Sequence, residues 1–204
     1  MAFNYEKDSK NIVTITMDMD GRSANVINGE FSNLWIEVME RLENEKKLAG
    51  VIVASAKKTF LAGGDLEMIM ALNDPEQAYD LAEKFKFDLR RIERLGKPVV
   101  AAINGAALGG GLEIALCCNH RIAINSSITK IGFPEVTLGI LPTAGGLIRT
   151  TRLIGLEAAL PFLLDGKPVT PSLAKKLGII DDTADNIKEL FSKAKQYILA
   201  NPEK

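Results

Sequence analysis

Two glycine-rich turns and two carboxylates are the groups in this sequence with the types and spacing to do chemistry. The first turn is Phe60-Leu61-Ala62-Gly63-Gly64-Asp65-Leu66, and the second is Ala107-Leu108-Gly109-Gly110-Gly111-Leu112-Glu113. Each comes after a short apolar run that reads as a buried strand, and α/β folds bind ligands beyond the C-terminal ends of such strands. Glycine lets a main-chain amide approach a ligand closely, and amides at a helix N-terminus carry the positive end of its dipole. Two amides converging from two loops would make an oxyanion hole. Taken alone, either stretch also fits an ordinary tight turn or a phosphate nest. The G-x-G-x-x-G dinucleotide fingerprint is absent, and so is a G-x-x-x-x-G-K-[ST] phosphate loop.

Glu113 opens an otherwise apolar helical stretch, among Leu112, Ile114, Ala115 and Leu116. Glu135 sits in Phe133-Pro134-Glu135-Val136-Thr137-Leu138-Gly139-Ile140, in similar surroundings. A carboxyl between apolar walls has a raised pKa, as acid–base work near neutral pH requires. Each also fits a plain helix-start carboxylate. Other candidates are weaker. His120 reads as a helix-end contact, and Cys117 and Cys118 as helix packing. Arg149 and Arg152, three apart on one helix, read as a solvated face. Lys57 and Lys58 fit either an anionic ligand or a plain surface loop. Asp18-Met19-Asp20-Gly21 has its glycine too early for a calcium loop. No G-x-S-x-G elbow supplies a nucleophile.

The elements that must hold these groups follow from patterning. Ile12–Met17 is a β-branched strand, and 50–55 and 99–103 are apolar runs without alternation, which suits strands covered on both faces. Shorter strands are expected at 121–124 and 129–133. Helical spacing runs over 29–47, 75–95, 108–118, 145–154, 156–164, 171–177 and 186–200, and 178–180 reads as a short strand or connector. Strands alternating with helices give an α/β class. The 204 residues are expected to form one domain, 1–204.

Composition excludes several functions. With 47% hydrophobic residues the chain can fill a core, so disorder is excluded. A net charge of -1 leaves no basic excess for nucleic acid. A single histidine rules out multi-His metal sites, and no metal is expected. The adjacent cysteines point to a reducing compartment rather than a disulfide framework. No run of 18 apolar residues predicts a membrane span, and the start lacks a secretory signal. A cytoplasmic location is the expectation.

Three stretches together resemble the enoyl-CoA hydratase/isomerase (crotonase) family. They are Phe60 to Leu66, Ala101 to Glu113 through Asn104-Gly105-Ala106-Ala107, and Pro134-Glu135 with Leu138-Gly139-Ile140-Leu141-Pro142. The resemblance implies a spiral of ββα turns, most like the N-terminal hydratase module of a multifunctional fatty-acid oxidation α-chain. It places the oxyanion hole at Ala62 and Gly110 and the catalytic pair at Glu113 and Glu135. Substrate binding falls on Ala62, Gly63, Gly64, Asp65 and Gly110. It implies hydration of a trans-2-enoyl-CoA, with isomerisation, thioester hydrolysis or a non-catalytic scaffold as alternatives. The implied partner is an acyl-CoA thioester, with coenzyme A as part of the substrate and no separate cofactor. A homo-oligomer, or fused or associated β-oxidation domains, is expected. Thr143 stands where the family commonly has glycine, and most of the family's C-terminal helical region is expected to be missing, as in a fragment.

Overall fold

The computed structural model describes residues 2–203. Its main sheet contains β1 (Phe3–Lys7), β2 (Ile12–Met17), β3 (Gly50–Ser55), β4 (Val99–Ile103), β6 (His120–Ile124) and β8 (Asp182–Ala184), in that spatial order. A second sheet pairs β5 (Ala107–Leu108) with β7 (Ile131–Gly132). In the main sheet β1 runs antiparallel to β2, and the other pairs are parallel.

The missing alternation in β3 and β4 has a packing cause. Val51 and Val53 face one apolar core and Ile52 and Ala54 the other, so both faces are buried. On one side Phe31 and Trp35 of α1 (Gly29–Glu43) stack with ring centroids 5.9 Å apart. On the other lie Leu190, Ala194 and Ile198 of α7 (Ile187–Ala200), with Asn186 as its cap.

The chain climbs in similar turns, each giving one main strand, one short second-layer segment and one or more helices. Ile27 bridges Gly64, Leu61 bridges Ala107, and Ile131 bridges Val169, so the second layer continues beyond β5 and β7 as a ladder. Its segments feed directly into helices. Residue 27 leads to α1, residue 64 to α2 (Leu66–Met70) and then α3 (Pro75–Glu93), and β5 to α4 (Gly110–Cys117). Helix N-termini therefore gather at one end of the ladder. The remaining helices are α5 (Gly146–Leu164) and α6 (Pro171–Leu177).

Some expectations change. β1 was not apparent because only Phe3 of the five residues is buried. The short α2 spans only five residues, under two turns, too few to show a helical period. The 178–180 stretch is a connector with Ile179 and Ile180 buried, and the strand lies beyond it at β8. His120 is on β6, not at a helix end; its ring stacks on Tyr197 at 4.0 Å. The split between 145–154 and 156–164 corresponds to Gly155, whose φ of 78° and ψ of 162° break α5.

Candidate active site

The ladder end opens into a cavity of about 420 Å³, lined by Ala62, Gly63, Gly64, Gly109, Gly110, Glu113 and Glu135. Apolar walls from Ile69, Leu72, Ala82 and Phe85 close one side, and Leu138, Leu141 and Thr143 another. The two glycine turns and the two carboxylates thus meet around one space.

Hydrogen bonding decides which amides face it. The Ala62 N–H donates to Asn25 O at 2.9 Å, so it is already used. This corrects the oxyanion assignment to Ala62, although that residue still lines the cavity. Gly63 O accepts from Ile27 N at 2.8 Å. In a trans peptide the carbonyl and the next N–H point in opposite directions. The Gly64 N–H therefore points away from residues 25–27, toward the second glycine turn. A β-carbon on Gly63 would lie 3.3 Å from Leu108 O and 3.9 Å from Gly110 N, which places the two turns side by side. No hydrogen bond from the Gly64 or Gly110 amide is found among the described residues. Gly110 is also the first residue of α4, where amides lack intrahelical partners. Gly64 and Gly110 thus offer two amides, one from each glycine turn, to an oxyanion.

Asn25 holds this arrangement from beneath. It is fully buried, accepts from Met19 N at 3.0 Å, and donates to Met17 O at 3.1 Å and Ser55 Oγ at 2.9 Å. Nothing in the sequence around it distinguishes it from a loop asparagine.

Glu113 is 3% exposed and Glu135 8%. The Gly146 N–H donates to Glu113 Oε1 at 2.8 Å. Glu135 Oε2 is buried with no hydrogen-bond partner. Gly109 separates them. Its φ of 52° and ψ of -123° suit only glycine, and a β-carbon there would lie 2.6 Å from Glu135 Oε1. A β-carbon on Gly110 would lie 3.9 Å from Glu113 Oε2, so the two carboxyls flank the Gly109–Gly110 peptide. Burial pushes Glu113 up to about 7, against the Gly146 amide and with help from the charge on Glu135. Burial likewise pushes Glu135 up to about 7.

These shifts have a stability consequence. Below about pH 4.5 the carboxyl is protonated in both folded and unfolded chains. Between 4.5 and 7 the unfolded chain releases the proton first, so folding stability falls as pH rises through the folded value. Glu135→Gln removes that cost, on the order of 3 kcal/mol. It is expected to raise the melting temperature by about 6–12 °C at pH 8 and to change little at pH 4.5. Calorimetry at both pH values reads this; an equal effect at the two would contradict the raised proton affinity.

Asp65 does not line the cavity. Its carboxylate caps α2 by accepting from Glu67 N at 3.1 Å and pairs with Arg22 at 3.0 Å, which fixes the shape of the loop. Lys57 pairs with Asp18 at 2.7 Å, and Lys58 is exposed. Cys117 and Cys118 are buried as expected. Arg152 is exposed, but Arg149 turns inward and bonds Glu93 and Ala144 O, each at 2.8 Å. No helix among the described residues is long and apolar enough to cross a membrane.

The family model for enoyl-CoA hydratase/isomerase matches residues 7–200. The chain belongs to the enoyl-CoA hydratase/isomerase family. Among curated proteins, it is 38% identical over 202 residues to the fatty acid oxidation complex subunit alpha of Shewanella frigidimarina, covering 96% of this chain and 28% of that one. The corresponding subunit of Aliivibrio fischeri is 40% identical over 182 residues, covering 88% and 26%. The chain thus spans little more than a quarter of these relatives. Among solved structures, an enoyl-CoA hydratase from Bacillus anthracis superposes with a TM-score of 0.89 at 29% identity, covering 98% of this chain and 76% of that one. One from Thermoplasma volcanium gives 0.90 at 27% identity, covering 99% and 79%. The parallel sheet with its second-layer ladder is the crotonase fold.

Proposed function

We propose that this chain adds water across the conjugated double bond of a trans-2-enoyl-CoA, giving the 3-hydroxyacyl-CoA. The observation that carries this reading is the convergence of two carboxyls, each with a proton affinity near neutrality, on two unpartnered amides in one apolar cavity. The Gly64 and Gly110 amides receive the thioester oxygen as negative charge grows on it. One such donor contributes roughly 3–4 kcal/mol to the barrier reduction.

Two close carboxyls titrate as a pair and favour one proton between them. Glu113, with an amide on Oε1, is suited to the ionised role and takes a proton from the attacking water as its oxygen bonds C3. Glu135, with Oε2 unpartnered among apolar groups, is suited to carry the proton that goes to C2. Solvent exchange then resets both groups. The apolar walls from α2, α3 and the 138–143 loop suit an acyl chain. Coenzyme A enters as part of the substrate, and no cofactor or metal is included in this reading. The relatives' name, fatty acid oxidation complex subunit alpha, supports a β-oxidation setting with further fused or associated domains.

The test is a short trans-2-enoyl-CoA, followed by loss of the conjugated thioester absorbance and by product mass. Hydration adds one water. A product of unchanged mass formed from a 3-enoyl-CoA would support the isomerase reading, in which Glu135 alone shuttles the proton. Free coenzyme A would indicate hydrolysis, and no turnover of any of these would favour a non-catalytic scaffold.

A further inference from the structure

The sequence reads Arg149 as solvated, yet its guanidinium lies folded against the turn that grips Glu113. Nε donates to Glu93 Oε1 at 2.8 Å, at the last residue of α3. Nη1 donates to Ala144 O at 2.8 Å. Gly145, which follows Ala144, has a φ of 102° and packs so closely on Nη1 that any β-carbon there would collide with it. Gly146, the next residue, makes the 2.8 Å bond to Glu113 Oε1. A β-carbon on Gly146 would lie 2.9 Å from Glu113 Cγ, so turn and glutamate are in direct contact. The contacts run unbroken from Glu93 through Arg149 and the 144–146 turn to the carboxyl.

We propose that Arg149, anchored by Glu93, is a positioning residue that fixes the orientation and charge state of Glu113 by holding the 144–146 turn. The assignment rests on Glu113 acting in the hydration proposed above, but the physical link can be tested without turnover. Two effects act together. The forked guanidinium fixes a carbonyl and a carboxylate at once, as a single ammonium does not. Its positive charge also favours the ionised form of Glu113. The groups facing Glu113 are Glu135 from the turn after β7 and Arg149 from α5. Those facing Arg149 are Glu93 from α3, Cys117 from α4 and Glu113 itself. Arg90 bonds the second oxygen of Glu93 at 2.8 Å. Cys117 is held neutral by burial, which raises its pKa. Charge on the pair therefore has a predictable sign at Glu113.

The experiment compares wild type, Arg149→Gln, Arg149→Lys and Glu93→Gln. The midpoint of the Glu113 carboxyl is read by carbon-13 NMR of glutamate-labelled protein, with Glu113→Gln to assign the signal. Arg149→Gln should move the midpoint to higher pH and Glu93→Gln to lower pH. Arg149→Lys should return it close to wild type. In turnover of a short 2-enoyl-CoA, Arg149→Gln should lower kcat by about 10–100-fold with KM changed less than about threefold. The acid limb of kcat/KM should move with the NMR midpoint, and Arg149→Lys should recover only part of the rate. If Arg149→Gln does not fold, Arg149→Lys and Glu93→Gln carry the comparison. An unmoved midpoint in Arg149→Gln and in Glu93→Gln, or a rate loss that follows only the unfolded fraction, overturns the proposal. Shifted midpoints in a protein that hydrates no enoyl-CoA would uphold the link and reject the hydratase reading instead.

Discussion

Glu113→Gln and Glu135→Gln are each expected to lower kcat for hydration by about 10²–10⁴-fold, the range for loss of a positioned proton-transfer group. KM should change far less, because glutamine keeps the size of the side chain and the cavity walls are untouched. The double variant should be little worse than either single one, since groups acting as a unit lose their effect together. In wild type, kcat/KM should form a bell around neutrality, because both carboxyls are pushed up to about 7 and the active form holds one proton between them. Each single variant should lose the limb belonging to the group removed. Steady-state rates from pH 5 to 9 measure this. Wild-type rates in either variant would remove that glutamate from the mechanism.

Gly111→Ala should have the second largest effect, although residue 111 has no reacting group. A β-carbon at this position would collide with the carbonyl oxygen of Leu61 and lie 3.0 Å from Leu61 Cβ. That same carbonyl accepts from Leu108 N at 3.1 Å, the bond that joins the two glycine turns. The backbone of 60–64 must move away from α4, which costs about 1–3 kcal/mol as overpacking. It also separates the Gly64 amide from the Gly110 amide, so a rate loss of about 10²–10³-fold is expected, as for loss of one oxyanion donor. Gly29→Ala is the control. Its β-carbon meets nothing within 4 Å, so rate should be unchanged and the helix slightly more stable. Thermal unfolding and kcat/KM of the two variants separate these outcomes. Full activity in Gly111→Ala would show that the turns tolerate separation and that the paired amides are not the oxyanion site.

Much of the architecture was legible because burial leaves a one-dimensional trace. The unalternated runs at 50–55 and 99–103 reflect a sheet covered on both faces by α1 and α7. Leu190, Ala194 and Ile198 recur at helical spacing because one stripe of α7 meets that sheet. Glu113 and Glu135 stood out as carboxylates among apolar residues, and the structure places both in the same cavity. β1 was hidden because an edge strand with one buried residue carries almost no apolar signal.

Residue type and spacing alone determined that two glycine turns and two buried carboxylates belong to one α/β framework. Tertiary structure alone decided which amides face the cavity. The direction of a peptide N–H depends on its hydrogen-bond partner, and here that partner lies far along the chain. Asn25 O accepts the Ala62 N–H, and the Gly63 carbonyl accepts from Ile27 N–H, which turns the Gly64 amide toward Gly110. Arg149 looked solvated for the same reason, since its partner Glu93 lies on another helix, 56 residues away, and only folding brings the two together.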